Sequence, residues 1–197
     1  MLAPVNEAFP QFAAAESVLH TSFDNIGAIF HPAPTLLNAA RIETGDTFGH
    51  YCEGVSPSVA RVLEEMDRER RNVARAIGLR VRSAERFLRQ AYGVRAHGLY
   101  QAMKSNPGYQ GIPAPSSVEH RYITEDVPTS LVPMASFGDV FGAPTPTIKS
   151  IIHLASVMHG VDYWRIGRTV DRLGLSGMNA EQIREMVTDV HSDQMVG

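Results

Sequence analysis

Three side chains in this sequence are best placed for chemistry: His31, Arg121 and Asp126. His31 ends the apolar run Asn25-Ile26-Gly27-Ala28-Ile29-Phe30 and stands directly before a proline corner, His31-Pro32-Ala33-Pro34. Such a corner points an imidazole out of a packed element into a cleft, where its near-neutral titration suits a general acid/base. Arg121 and Asp126 are five residues apart, about 140° out of register on a continuous helix. A turn ahead of a helix beginning at Thr124 brings both to one helix mouth. A carboxylate there can orient a histidine, and an arginine can grip a carboxylate through paired hydrogen bonds. The same residues also read as structure, a buried and satisfied histidine and a helix-capping ion pair.

Other chemistries lack their signatures. The sixteen glycines never occur as G-x-G and no Gly-Lys pair exists, which removes the dinucleotide fingerprint and the Walker phosphate loop. There is no H-E-x-x-H and no G-x-S-x-G, and no two of the eight histidines are four residues apart, so no metal site is expected. Cys52 is the only cysteine, which excludes an internal disulfide and reads as a small buried hydrophobe in a reducing, cytoplasmic setting.

The elements that must hold these groups are helical. Met1 to Phe12, with two prolines, reads as an extended lead-in. Ala13 to Ile42 reads as two helices meeting at the His-Pro corner, because Pro32 and Pro34 bias their predecessors away from helical geometry. Ser56-Pro57 opens a helix whose Val62, Met66, Val73 and Ile77 share a face before Gly78 ends it. Shorter helices are expected over Ser83–Gly93 and Val94–Ser105, then a long loop from Asn106 to His120. A helix from Thr124 carries Pro128 in its first turn and is kinked or interrupted at Pro133. Thr145-Pro146 opens a helix to Gly160 that is apolar almost all round, as a central buried helix is. Tyr163–Leu173 and Asn179–Val190, the latter opened by an Asn179-x-x-Gln182 capping box, complete an all-α chain with a tail at 191–197.

With 197 residues, 44% of them hydrophobic, and a net charge of −3, the chain can bury a full core and carries no bias towards nucleic acid or an anionic membrane. No stretch approaches the roughly 20 apolar residues of a membrane span.

An ordered series of motifs begins with Thr21-Ser22-Phe23-Asp24-Asn25-Ile26 running into His31-Pro32-Ala33-Pro34-Thr35-Leu36-Leu37-Asn38-Ala39-Ala40-Arg41-Ile42-Glu43, then Tyr51-Cys52-Glu53-Gly54. Its strongest part is His120-Arg121-Tyr122-Ile123-Thr124-Glu125-Asp126-Val127-Pro128, followed by Leu131-Val132-Pro133, Pro144-Thr145-Pro146-Thr147 and Gly167-Arg168-Thr169-Val170-Asp171-Arg172-Leu173-Gly174. Through this set the sequence resembles the C-terminal domain of the octopine/nopaline dehydrogenase family, and because order and spacing agree as well as letters, the set is more specific than any one short motif.

The resemblance implies a multi-helical fold like the C-terminal domains of phosphogluconate dehydrogenase-like reductases. It implies that His31 is a catalytic acid/base, that Asp126 orients it, and that Arg121 grips the substrate carboxylate. Asn25, Asn38 and Tyr51 lie in matching motifs and are further substrate-binding candidates. The implied reaction condenses an amino acid with a 2-keto acid and reduces the imine with NADH or NADPH. The nucleotide-binding domain that such a reaction needs is expected ahead of Met1 or on a separate subunit, and without it the chain is expected to be inactive. The loop Ser105–Ser117 reads equally as a closing lid and as a surface connector.

Two other classes of function stay open on sequence. Ten arginines against five acidic residues between Arg61 and Arg95 suit a polyanion-binding module. Glu64 with Arg68, Asp67 with Arg71 and Glu85 with Arg89, each at i, i+4, instead suit a self-paired, solvated helix face. A non-catalytic helical interaction module, possible as a homodimer, would cover the apolar surface that a missing partner domain leaves exposed.

Overall fold

The structure, a computed structural model, describes residues 3–10 and 12–188 and is all-α. Among the described residues there is no strand, only an isolated antiparallel bridge between Gly49 and Pro113. Among the described residues no helix is long and apolar enough to cross a membrane. The expected tail at 191–197 and the end of the last helix at Val190 lie outside the described residues.

The elements run α1 (Ala3–Ala8), α2 (Val18–Phe23), α3 (Gly27–Phe30), α4 (Pro32–Leu37), α5 (Ala39–Glu43), α6 (Pro57–Ala76), α7 (Ala84–Tyr92) and α8 (Gly98–Lys104). After a 3-10 turn at Pro107–Tyr109 come α9 (Arg121–Thr124), a π turn (Val127–Leu131), α10 (Val132–Val140), α11 (Pro146–His159), α12 (Tyr163–Ile166) and α13 (Ala180–Thr188).

The 20-residue α6 organises the fold. Ser56 caps it by accepting the Val59 N–H at 3.2 Å, and Pro57 occupies the first turn, where its missing N–H costs nothing. Leu63, Met66, Val73 and Ala74 are fully buried on the face that meets α2, α3, α4, α8, α10 and α11. The arginine run on α6 is largely the solvated, self-paired face the sequence suggests, with Arg70 the exception. Arg70 is fully buried, held by Asp67 and by the carbonyls of Phe23 and Arg82, so it ties α6 to α2 and to the segment entering α7. Asp67 also pairs with Arg71 at 2.9 Å as expected, whereas Arg68 pairs with Glu65. That leaves the expected partner Glu64 to accept the Leu99 N–H at 2.8 Å and fix the start of α8.

Several expectations are corrected. Within the stretch expected to be extended, Ala3–Ala8 is helical, because Pro4 falls in the first turn, where its N–H is not needed. Ala13–Ile42 folds into four short helices rather than two. Pro32 starts α4 and Pro34 stays within its first turn, while His31 keeps helical backbone angles because its N–H bonds Gly27 O and its carbonyl accepts from Thr35. The Thr124 helix begins earlier, at Arg121. The interruption expected at Pro133 comes just before it as the π turn, because Pro133 has no N–H to continue the helical ladder. The Pro128 carbonyl freed by that change accepts the Arg168 N–H at 2.9 Å, which docks the segment after α12. Helix α11 buries only one face, Ile148, Ile151, Ile152 and Ala155, and leaves Val157 65% exposed. The expected helix Tyr163–Leu173 is a single turn, α12. The Asn179–Gln182 capping box forms in both directions, at 2.9 and 3.0 Å.

Candidate active site

His31 occupies the junction of α3 and α4 and is held from every side. Its backbone N–H donates to Gly27 O at 2.9 Å, and its carbonyl accepts the Thr35 N–H and hydroxyl at 3.2 and 2.8 Å. Its ring stacks on Tyr122 with centroids 4.0 Å apart and planes 13° from parallel. Nδ1 lies 2.8 Å from Asp126 Oδ2, with the two side chains 23% and 14% exposed. A carboxylate only accepts, so Nδ1 carries the proton and donates it, leaving Nε2 as the basic nitrogen of the neutral ring.

The α9–π turn segment supplies both ring partners. His120 caps α9, its Nδ1 accepting the Tyr122 N–H at 3.3 Å, which fixes the ring that stacks on His31. One turn later Glu125 takes Arg121 at 3.1 Å, and Asp126, the next residue along, faces His31. The single helix mouth expected for Arg121 and Asp126 is therefore replaced by a division of labour, because the helix starts at Arg121 and their side chains leave it in different directions.

The other expected residues fall in different places. Tyr51 is buried beside His31 with ring centroids 6.4 Å apart, and it stacks on Tyr109 at 4.2 Å. Burial, then the neighbouring Tyr122 and Tyr109, pushes its hydroxyl well above the ordinary tyrosine value, so it remains a neutral donor. Asn25 lines the cavity beside His31. Its Oδ1 accepts the Gly27 N–H at 3.1 Å and its amide reaches Ser130 at 3.4 Å. Asn38 points elsewhere, its amide donating to the carbonyls of Pro34 and Gly54 at 2.8 and 2.9 Å. Arg121 is 70% exposed and does not line that cavity.

Sequence reasoning missed two residues. Tyr122 sits inside the quoted motif between Arg121 and Ile123, and nothing in its type announced the stack. His50 is almost fully buried, 4.7 Å from the Tyr51 ring and 5.0 Å from that of Tyr122. Burial, and then the charge of His31, lowers its pKa to about 4, against the opposing Phe30 carbonyl. It is a neutral brace behind the Tyr122 and His31 rings.

The loop Asn106–His120 is anchored across its middle. Its Ile112 carbonyl accepts the His50 N–H and its Ala114 N–H donates to Phe48, both at 2.9 Å, and Tyr109 is buried against Tyr51. The loop thus forms a wall of a cavity of about 380 Å³ that opens beside His31.

The geometry is that of a carboxylate-oriented histidine beside a small cleft, and known proteins share the sequence around it. The family model described as NAD/NADP octopine/nopaline dehydrogenase, alpha-helical domain, matches residues 14–159. An opine dehydrogenase of Arthrobacter sp. (strain 1C) is 42% identical over 186 residues, 94% of this chain and 52% of that protein. The protein ocs of Agrobacterium vitis is 31% identical over 163 residues, 82% of this chain and 45% of that one. A solved octopine dehydrogenase with NADH and L-arginine has the same fold, with a TM-score of 0.74 at 20% identity over 95% of this chain and 54% of that chain. The chain thus spans about half the length of the curated relatives it matches. By motif, fold and the model that covers most of its length, it belongs to the octopine/nopaline dehydrogenase family, as the alpha-helical domain.

Proposed function

We propose that this chain is the substrate-binding, catalytic half of an opine dehydrogenase, joining an amino acid to a 2-keto acid by reductive condensation. The observation that carries the reading is the His31–Asp126 pair at 2.8 Å, stacked on Tyr122 at the edge of a cleft. Asp126 holds the proton on Nδ1 and stabilises the imidazolium when it forms, so Nε2 can take a proton from the amine or return one to the carbonyl oxygen as water leaves. Arg121 is the candidate clamp for the keto-acid carboxylate. Its exposed pairing with Glu125 is weak enough for a substrate carboxylate to replace it.

The hydride comes from NADH or NADPH, and the residues described here do not form a cradle for either. They contain no strand leading into a G-x-G turn, and the cleft beside His31 is far smaller than a dinucleotide. A dinucleotide-binding unit, joined to this chain or separate from it, is therefore part of the proposal. A reducing, cytoplasmic setting suits the single cysteine, whose half-buried thiol is pushed up by burial first and then by Glu53.

The test is turnover of amino-acid and keto-acid pairs with NADH and NADPH, by the chain alone and combined with the dinucleotide-binding half of the Arthrobacter relative. Activity in the combination only, abolished by His31→Ala and with the keto-acid KM raised by Arg121→Ala, is the expected result. No turnover from a correctly docked pair would remove the reading.

A further inference from the structure

The aromatic cleft beside His31 has a composition that the acid/base chemistry does not require. We propose that it is the side-chain subsite for the amine substrate, and that it takes an uncharged apolar or aromatic side chain in preference to a guanidinium, an ammonium or a carboxylate. The proposal rests on His31 being the acid/base of an opine-forming site. One wall is the α3 entry, Asn25, Gly27 and His31, and the facing wall is Phe87, Tyr92 and Tyr109. At about 380 Å³ the cleft lies near the lower end of small-molecule sites, which suits one amino-acid side chain.

The facing wall is a continuous run of rings. Tyr109 stacks on Tyr51 at 4.2 Å, Tyr92 meets Tyr109 near edge-on at 5.1 Å, and Phe87 meets Tyr92 at 6.2 Å. Tyr92 is the exposed ring of the run, between Tyr109 and Phe87, and its place is set by the loop. A Cβ on Gly108 would stand 2.6 Å from the Tyr92 ring, so glycine there lets the ring lie against the backbone.

Charge decides what this wall accepts. The one carboxylate on the cleft is Asp24, and it is already committed to the Arg82 guanidinium, with Nε at 2.7 Å, and to the Arg82 N–H at 3.1 Å. A guanidinium entering the cleft meets no free carboxylate, and an acidic side chain meets no free cation, because Arg82 is committed in the same pair. An acidic side chain would be desolvated against the negative ring faces, and a guanidinium would find only ring faces, with Phe87 already facing Arg82 at 5.7 Å, and no carboxylate to pair with, whereas a phenyl or isobutyl group gains burial there.

The experiment measures kcat/KM for phenylalanine, leucine, arginine, lysine and aspartate, at saturating keto acid, in the chain combined with its dinucleotide-binding unit. Phenylalanine and leucine should exceed arginine by roughly tenfold or more. Tyr92→Ala, at an exposed position that contributes little to the core, should raise KM for phenylalanine by about tenfold and leave the keto-acid KM unchanged. Phe87→Asp should move the preference towards arginine. Wild-type preference for arginine, with turnover still lost in His31→Ala, would overturn the subsite while leaving the opine reading intact. Saturation-transfer NMR of phenylalanine on the chain alone separates the other failure. Contact that Tyr92→Ala abolishes, without turnover of any pair, keeps the cleft as an apolar side-chain site and discards the opine reading. No contact and no turnover overturns the subsite.

Discussion

His31 Nδ1 and Asp126 Oδ2 meet at 2.8 Å although 95 residues separate them in the chain. The contact exists because two irregularities coincide, the α3–α4 junction that sets the ring and the π turn that begins just after the carboxylate. An amide at position 126 removes the charge and can donate to Nδ1, which moves the ring proton to Nε2, where it blocks base chemistry. Asp126→Asn should therefore lower kcat by about 10²- to 10⁴-fold with little change in either KM. Steady-state kinetics, with circular dichroism to confirm the fold, checks this, and wild-type kcat in the variant would remove Asp126 from the mechanism.

Gly27 is the other support of the His31 ring. A Cβ there would stand 2.9 Å from His31 Cε1 and 3.1 Å from Asn25 Oδ1, so a methyl group cannot be added without turning the imidazole away from Asp126. Gly27→Ala should cost on the order of 10²-fold in kcat through misplacement alone. The backbone angles at Gly27 are not of the left-handed kind, so melting temperature should change little. A variant that loses stability and kcat together would instead mark Gly27 as a folding position.

The legible parts of this molecule were those governed by local rules. Ser56-Pro57, Ser83, Gly160 and the Asn179–Gln182 box mark helix ends, and the structure places ends there, because caps depend on a few adjacent residues. His31 and Asp126 were legible as candidates in the sequence, and the structure places Nδ1 and Oδ2 2.8 Å apart. What could not be read was tertiary. Nothing in the order of letters tells that Arg70 turns inward while Arg68 and Arg71 stay near the surface, since that depends on carbonyls at Phe23 and Arg82. Val157 looked like core because it belongs to an apolar run, yet only packing decides which face of α11 is covered. The aromatic wall was equally hidden, its rings coming from α7 and the loop after α8.

Asn38 separates structural from substrate roles within the matching motifs. Both of its amide hydrogens are used, on Pro34 O and Gly54 O, and so it locks the turn after Tyr51 to α4. Asn38→Ala leaves two carbonyls without their donor and should cost about 2 kcal/mol of stability. Urea unfolding measures that loss, and KM for both substrates should stay at the wild-type value in the folded variant. A raised KM with unchanged stability would return Asn38 to the substrate-binding set.

His50 makes stability depend on pH in a defined window. Its folded-state pKa of about 4 lies below the ordinary 6.5, with burial as the first cause and His31 the second. As pH falls, the unfolded chain therefore takes up a proton before the folded one does. The contribution is whole above about pH 6.5 and is lost progressively as pH falls towards 4. At about 1.4 kcal/mol per pH unit, the window amounts to about 3 kcal/mol, most of it gone by roughly pH 4.5. His50→Gln cannot titrate there, so its unfolding free energy should fall less between neutral and acidic pH by about that amount. Urea titrations of both proteins at the two pH values give the comparison. Because His50 packs against Tyr51 and Tyr122, the same acid transition should disturb the ring stacked on His31. Parallel slopes in wild type and variant would place the acid sensitivity in other groups.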